Sequence, residues 1–276
     1  MESAGLKIAL RVWVALVLLF LFVPILLIVV YAFDPATVES WPIHGFTMHW
    51  FTVAWNDPAV RQAFLLSVRV ALLATGTALV LGSAVAYALH QFRFFGRDAI
   101  SFLLVLPIAL PGVVTGLALN SFFTFTQIRL SIWTIVIGHA TFCIVMVFNN
   151  LIARLRRTPG SLAEASMDLG GRGWQTQLYV MLPTVITALI SGALLAFALS
   201  FDEVVVTVFT SGANNTLPIW IFGAIRLGQQ LPEVNAVVSI VILLTIIPVL
   251  LAARIAGAGA VTRTARAERV QETGRI

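Results

Sequence analysis

Charge is scarce in this sequence. Asp, Glu, Lys and Arg make up 11% of its 276 residues, whereas 59% are hydrophobic and mean hydropathy is +0.98. An ordinary soluble domain is nearer half apolar and a quarter charged. So few charges leave the surface of a 29.9 kDa globule uncovered, which excludes a soluble enzyme, a nucleic-acid-binding module and a disordered chain. Cysteine is almost missing: Cys143 stands alone in an apolar run, so there is no disulfide framework and no thiolate metal cluster. Lysine is nearly missing too. The lone Lys7 cannot serve a phosphate-binding G-x-x-x-x-G-K-[ST] loop, so any ATP is hydrolysed by another chain. His44, His49, His90 and His139 are scattered without zinc spacing, and no nucleophile–base pair marks a membrane enzyme.

Long apolar runs are what the sequence has instead. A membrane span needs about 20 mostly apolar residues. Six stretches meet this, at about 12–33, 62–90, 99–125, 131–153, 184–210 and 234–256, so the expected fold is all-α, a single polytopic domain over 1–276. The first run is longer than a signal-peptide core and has no small-residue cleavage site, so it reads as a retained helix. The net charge of +5 comes from basic residues that act as topology signals: thirteen fall in the termini and the second and fourth loops, and three in the opposite loops. This bias places both termini in the cytoplasm. Outside, Trp41, Trp50 and Trp55 suit an interfacial segment, and Leu217–Phe222 suits a short interfacial or re-entrant helix.

The cytoplasmic stretch 154–183 is the most structured of the loops. Ser161 and Glu164 have the S-x-x-E spacing of a capping box, and Gly170-Gly171 supplies a left-handed stop. A helix of about two turns is expected between them, followed by a second helical stretch from about Trp174 that reaches Pro183. A short helix held at the membrane surface suits docking into a partner's groove, although Glu164 as a mere cap explains the same residues.

Intramembrane ionisable residues point to function by default. Asp202 and Glu203 fall in the fifth run, roughly 10–12 Å from its outer end at 1.5 Å per residue. Together they favour a cation. Adjacent helical residues diverge by about 100°, so only one can face a pathway directly, and the other is left to cap, pair or meet water. Arg69 lies near a span end and reads as snorkelling. His139, mid-span, reads as a hydrogen-bonded packing residue. Pro107, Pro111, Gly112 and Gly116 interrupt the third run, as in a kinked, pore-side helix.

Glu164-Ala165-Ser166, Gly170 and then Val180-x-Leu182-Pro183 resemble the E-A-A, Gly, I-x-L-P loop of binding-protein-dependent ABC importer permeases. Phe46–Phe51, Gly138–Cys143, Ala198–Val204, Leu217-Pro218 and Pro232–Asn235 are similar to the spermidine/putrescine permease subfamily. The resemblance implies a type I importer permease in the bacterial inner membrane, with a coupling helix in which Glu164, Ala165, Ser166, Gly170, Leu182 and Pro183 link ATP hydrolysis to transport. It also implies two ABC ATPase subunits holding ATP and Mg, a second and different permease chain, and a periplasmic binding protein. No cofactor is expected on this chain. Trp50, Ser200, Asp202 and Glu203 match positions linked to polyamine passage. The chain departs from that subfamily at Gly112, where many members carry an acid after the span-three proline. An importer for another cargo, such as an amino acid or γ-aminobutyrate, stays open, as does a stand-alone transporter or channel with an ion site at Asp202/Glu203.

Overall fold

The structure is a computed structural model, and it describes residues 4–228 and 230–246. The described residues are helical, with no strand. They fall into two units: Pro58–Gly223 is one, and the other draws on the described residues up to Asp57 and from Ala224.

The unit Pro58–Gly223 is built on three long helices, α3 (Pro58–Gln91), α6 (Ile132–Leu155) and α9 (Leu182–Asp202), each packed against the other two. The buried face of α3 is mostly small: Ala63, Ser67, Ala71, Ala74, Ala78, Gly82 and Ala86 recur at three- or four-residue spacing. Apolar attraction between helices is weak in lipid, so close backbone approach over such a stripe is a main source of packing. Gly82 shows how close it is. A Cβ there would lie 2.9 Å from the Ile144 carbonyl oxygen and 3.1 Å from Val147 Cβ. Gly192 of α9 meets Val147 Cα in the same way, at 3.2 Å. Gly82→Leu is therefore expected to destabilise the three-helix core by about 1–3 kcal/mol, seen as earlier thermal aggregation in detergent, with no such effect for Gly76→Leu, whose Cβ position is open.

Four helices are long and apolar enough to cross a membrane: Gly5–Tyr31, Pro58–Gln91, Ile132–Leu155 and Gly173–Asp202. The first belongs to α1 (Ala4–Tyr31), which is exposed from Gly5 to Leu27, as suits a helix apolar all round. A fifth crossing exists if a bent pair counts as one. The third run, expected to be interrupted and kinked, is α4 (Arg97–Ala109) and α5 (Gly112–Phe125), which meet at 103°. Pro111 has no N–H and forces the residue before it out of the helical region; Leu110 is extended at φ −81°, ψ 142°, and α5 restarts on the Pro111 carbonyl. The expected sixth span begins in Leu231–Ile246, and its remainder lies outside the described residues.

Two further boundaries differ from expectation. The stretch after Trp174 does not stop at Pro183 but runs unbroken from Gly173 to Asp202. It passes from α8 (Gly173–Gln175) through a π turn at Thr176–Met181 into α9. Inside an α-helix a proline crowds the carbonyl four residues back and leaves it without a donor. Here Leu182 N–H bonds five residues back to Gln177, and this opened turn admits Pro183. The fifth span also ends sooner than 210. It stops at Asp202, and a six-residue helix α10 (Val205–Thr210) follows a break at Glu203-Val204. Later in the chain, α11 (Leu217–Leu227) takes up the apolar segment as a short helix.

Candidate functional site

Two places bring the singled-out residues together. The first is the loop after α6. Its helix, α7 (Ser161–Asp168), buries none of its side chains. The expected capping box is absent: Gly160 is the N-cap, already in helical conformation, and the Pro159 and Gly160 carbonyls accept from Leu162, Ala163 and Glu164. Ser161 thus lies inside the first turn, and the exposed Glu164 is not used as a cap. The C-terminal stop forms a Schellman closure. Gly170 N–H bonds to Met167 O at 2.9 Å and Gly171 N–H to Ser166 O at 3.0 Å. Gly170 sits at φ +85°, and a Cβ on Gly171 would fall 2.7 Å from Ser166 O, so the first glycine answers conformation and the second answers space.

One hydrogen bond ties this surface helix to the span. Ser166 Oγ lies 2.9 Å from Thr176 Oγ1, in the π turn. Leu182 packs on the buried cluster of Leu151, Leu155, Met181 and Val185, while Ala165 and Pro183 are exposed. The Ser166–Thr176 bond joins α7 to one continuous helix that reaches Asp202. Apolar surface is left outward, with Leu162 and Met167 exposed and Leu169 90% accessible.

The second place is the break in the fifth span. Asp202 closes α9 with an exposed side chain. Glu203 turns the other way: its Oε1 accepts from Val206 N–H at 2.9 Å, which caps α10, and its carbonyl accepts from Thr207 Oγ1 at 2.6 Å. A six-residue helix is not stable by itself. Its far end is satisfied by neighbouring helices, with Asn120 Nδ2 donating to Phe209 O at 2.6 Å and Thr134 Oγ1 lying 2.7 Å from Thr210 O. The bend at Pro111 packs α5 on α10, so closely that a Cβ on Gly116 would meet Phe209 at 2.6 Å. Ser200 is buried and bonds to His139, and His139 is the hydrogen-bonded packing residue the sequence suggested. Asn120, Thr134 and Thr207 were not singled out in the sequence. Their only signal is that each is a polar residue in an apolar helix, where side-chain bonds between helices are expected.

Trp50 belongs to the other unit, on α2 (His49–Asn56), with its Nε1 donating to Asp34 O at 2.8 Å. The Asp34 carboxyl is itself buried. Burial pushes its pKa up, but bonds from the Ala36 and His44 N–H groups, at 3.1 and 3.2 Å, and the His44 ring outweigh this and hold it below 3.8. A depressed carboxyl contributes stability above its unfolded pKa and loses it as pH falls through the folded one. Trp50 fluorescence is therefore expected to stay constant down to about pH 4 and change only below it. In Asp34→Asn, which keeps an acceptor but not the titration, the acid step is expected to vanish.

The chain matches the family of binding-protein-dependent transport system inner membrane components over residues 78–259. It is 33% identical over 234 residues to a spermidine/putrescine transport system permease protein, PotC, of Haemophilus influenzae, covering 84% of this chain and 90% of the relative. It is 35% identical over 233 residues to a putrescine transport system permease protein, PotI, of Escherichia coli, covering 81% and 82%. Among solved structures, a bacterial ABC transporter involved in the import of the acidic polysaccharide alginate has a chain of the same fold, at TM-score 0.66 and 17% identity, covering 92% of this chain and 97% of that one.

Proposed function

The chain belongs to the family of binding-protein-dependent transport system inner membrane components, and on that premise we propose that it passes a polyamine, spermidine or putrescine, through the inner membrane. It would act as one permease subunit of an ABC importer, with both termini in the cytoplasm. The observation that carries the cargo is the 33–35% identity to polyamine permeases over more than four fifths of the chain. A second, different permease would complete the path, two ATPase subunits holding ATP and Mg would drive it, and a periplasmic binding protein would deliver the load.

In this reading α7 is the coupling helix. Its exposed face, with Glu164 and Ala165, docks on an ATPase subunit; Gly170 shapes its end, and Ser166 hands its movement to the helix that Leu182 and Pro183 begin. Asp202 is the carboxylate that meets the cargo's ammonium groups, since its side chain is exposed and Glu203 is engaged in capping α10. Trp50 and Ser200 are assigned to the path by resemblance alone. One departure favours another small amino compound as cargo: Gly112 follows Pro111 where the resemblance to the polyamine subfamily implies an acid.

Affinity purification in mild detergent tests the assembly. A P-loop ATPase and a second permease are expected to co-purify, and spermidine- or putrescine-loaded binding protein is expected to stimulate hydrolysis several-fold. Stimulation by an amino-acid-loaded binding protein instead would replace the cargo while keeping the importer. A chain that purifies alone would remove both.

A further inference from the structure

His139 lies on α6 with 1% of its surface exposed, between the two ends of the broken span. Its Nδ1 is 2.8 Å from Ser200 Oγ, in the last turn of α9, and its Nε2 is 2.8 Å from Thr207 Oγ1, in the first turn of α10. The surrounding bonds select the tautomer. The single hydroxyl proton of Thr207 is donated to Glu203 O, so toward His139 the oxygen can only accept, and Nε2 carries the hydrogen. Nδ1 is then an acceptor and takes the proton of Ser200. A helical serine commonly donates to the carbonyl four residues back. Here that carbonyl, Ala196 O, already faces the Cys143 thiol at 3.3 Å, and Ser200 is turned to the ring. The bonds therefore run in one direction, from Ser200 through the neutral imidazole to Thr207 and on to the carbonyl at the break.

We propose that His139 is a positioning residue for transport, a clasp that joins the two halves of the span. By bridging Ser200 and Thr207 it fixes the interruption at Glu203-Val204, which keeps the Glu203 carboxylate on α10 and leaves Asp202 exposed at the end of α9. The clasp stands on geometry; its consequence for transport rests on the reading that Asp202 meets the cargo. Only a group with one acceptor and one donor fits. Gln satisfies this and Leu does not.

The test uses the full chain assembled with its partner subunits, with Cys143→Ser to remove the native thiol while keeping a donor for Ala196 O, and Val204→Cys as a sensor in the break. Maleimide modification at position 204 is expected to quicken at least fivefold in His139→Leu, and spermidine moved per ATP hydrolysed to fall at least tenfold. His139→Gln is expected to bring both back to within about threefold of the parent. Ser200→Ala and Thr207→Val, each of which cuts one arm, are expected to quicken modification too, and they carry the test if His139→Leu is not produced in the membrane. Unchanged modification rates in these variants at normal protein level would overturn the clasp, as would a Gln variant no better than Leu. A failure of the parent complex to move spermidine would count against the polyamine reading alone, because the modification rate is read without any cargo.

Discussion

Gly170→Val is expected to reduce ATP-driven uptake at least 50-fold while leaving the chain in the membrane at close to its normal amount. At φ +85° a β-branched side chain is strained by roughly 1–2 kcal/mol. Its relief unwinds the closing turn, where Gly170 and Gly171 N–H groups satisfy the Met167 and Ser166 carbonyls. An eight-residue helix with no fully buried side chain, seated through the half-buried Ala163 and Ser166, has little packing energy with which to resist. For the same reason the loss stays local, and the α3–α6–α9 core holds. Glu164→Arg is expected to act alike by reversing charge on the exposed docking face. Gly160→Ala supplies the contrast: that glycine has φ −61° with nothing within 4 Å of a Cβ, so uptake should be normal. Uptake, hydrolysis and membrane level measured together separate lost coupling from lost protein.

Asp202→Asn should lower polyamine uptake 10- to 100-fold at unchanged protein level, whereas Glu203→Gln should cost less than threefold. A hydrogen bond to a charged group is worth about 1.5–3 kcal/mol, and removing the Asp202 charge forfeits it against a cationic cargo. The neighbouring carboxylate has a different task. Glu203 Oε1 caps α10 through Val206 N–H, and the amide oxygen of Gln can also accept that bond, though without the charge. Glu203→Ala cannot, and is expected to lose membrane-inserted protein and uptake together, by about 1 kcal/mol or more of lost capping. If Asn at 202 were harmless and Gln at 203 severe, the assignment of the two carboxylates would be reversed.

Spans of uninterrupted apolar sequence were legible to within a few residues. Runs expected at 62–90 and 131–153 are helices at Pro58–Gln91 and Ile132–Leu155. The surface helix before Gly170 was legible as well, because a left-handed glycine leaves a local mark. His139 was legible as a hydrogen-bonded packing residue, but its partners were not, nor were the breaks and angles settled by residues distant in sequence. Pro111 announced an interruption, but the 103° angle accompanies the packing of α5 against α10. Pro183 read as an end, and only the π turn shows how a helix passes through it. The Asp202-Glu203 pair read as two carboxylates on one continuous helix. The break between them and α10 depends on Asn120, Thr134 and His139, up to 89 residues away in the chain. Polar residues in apolar runs were the one available hint, and it does not say which carbonyl each will meet.

The central claim is that this chain lets a polyamine through only when partner ATPases hydrolyse ATP. The most direct measurement is uptake of radiolabelled spermidine and putrescine by proteoliposomes holding the whole permease–ATPase complex, with binding protein outside and ATP enclosed. Accumulation is expected to need both ATP and the binding protein, at least tenfold above the level with ADP, and to disappear with Gly170→Val. Entry of the cation through this chain alone, without ATP or partners, would contradict the account.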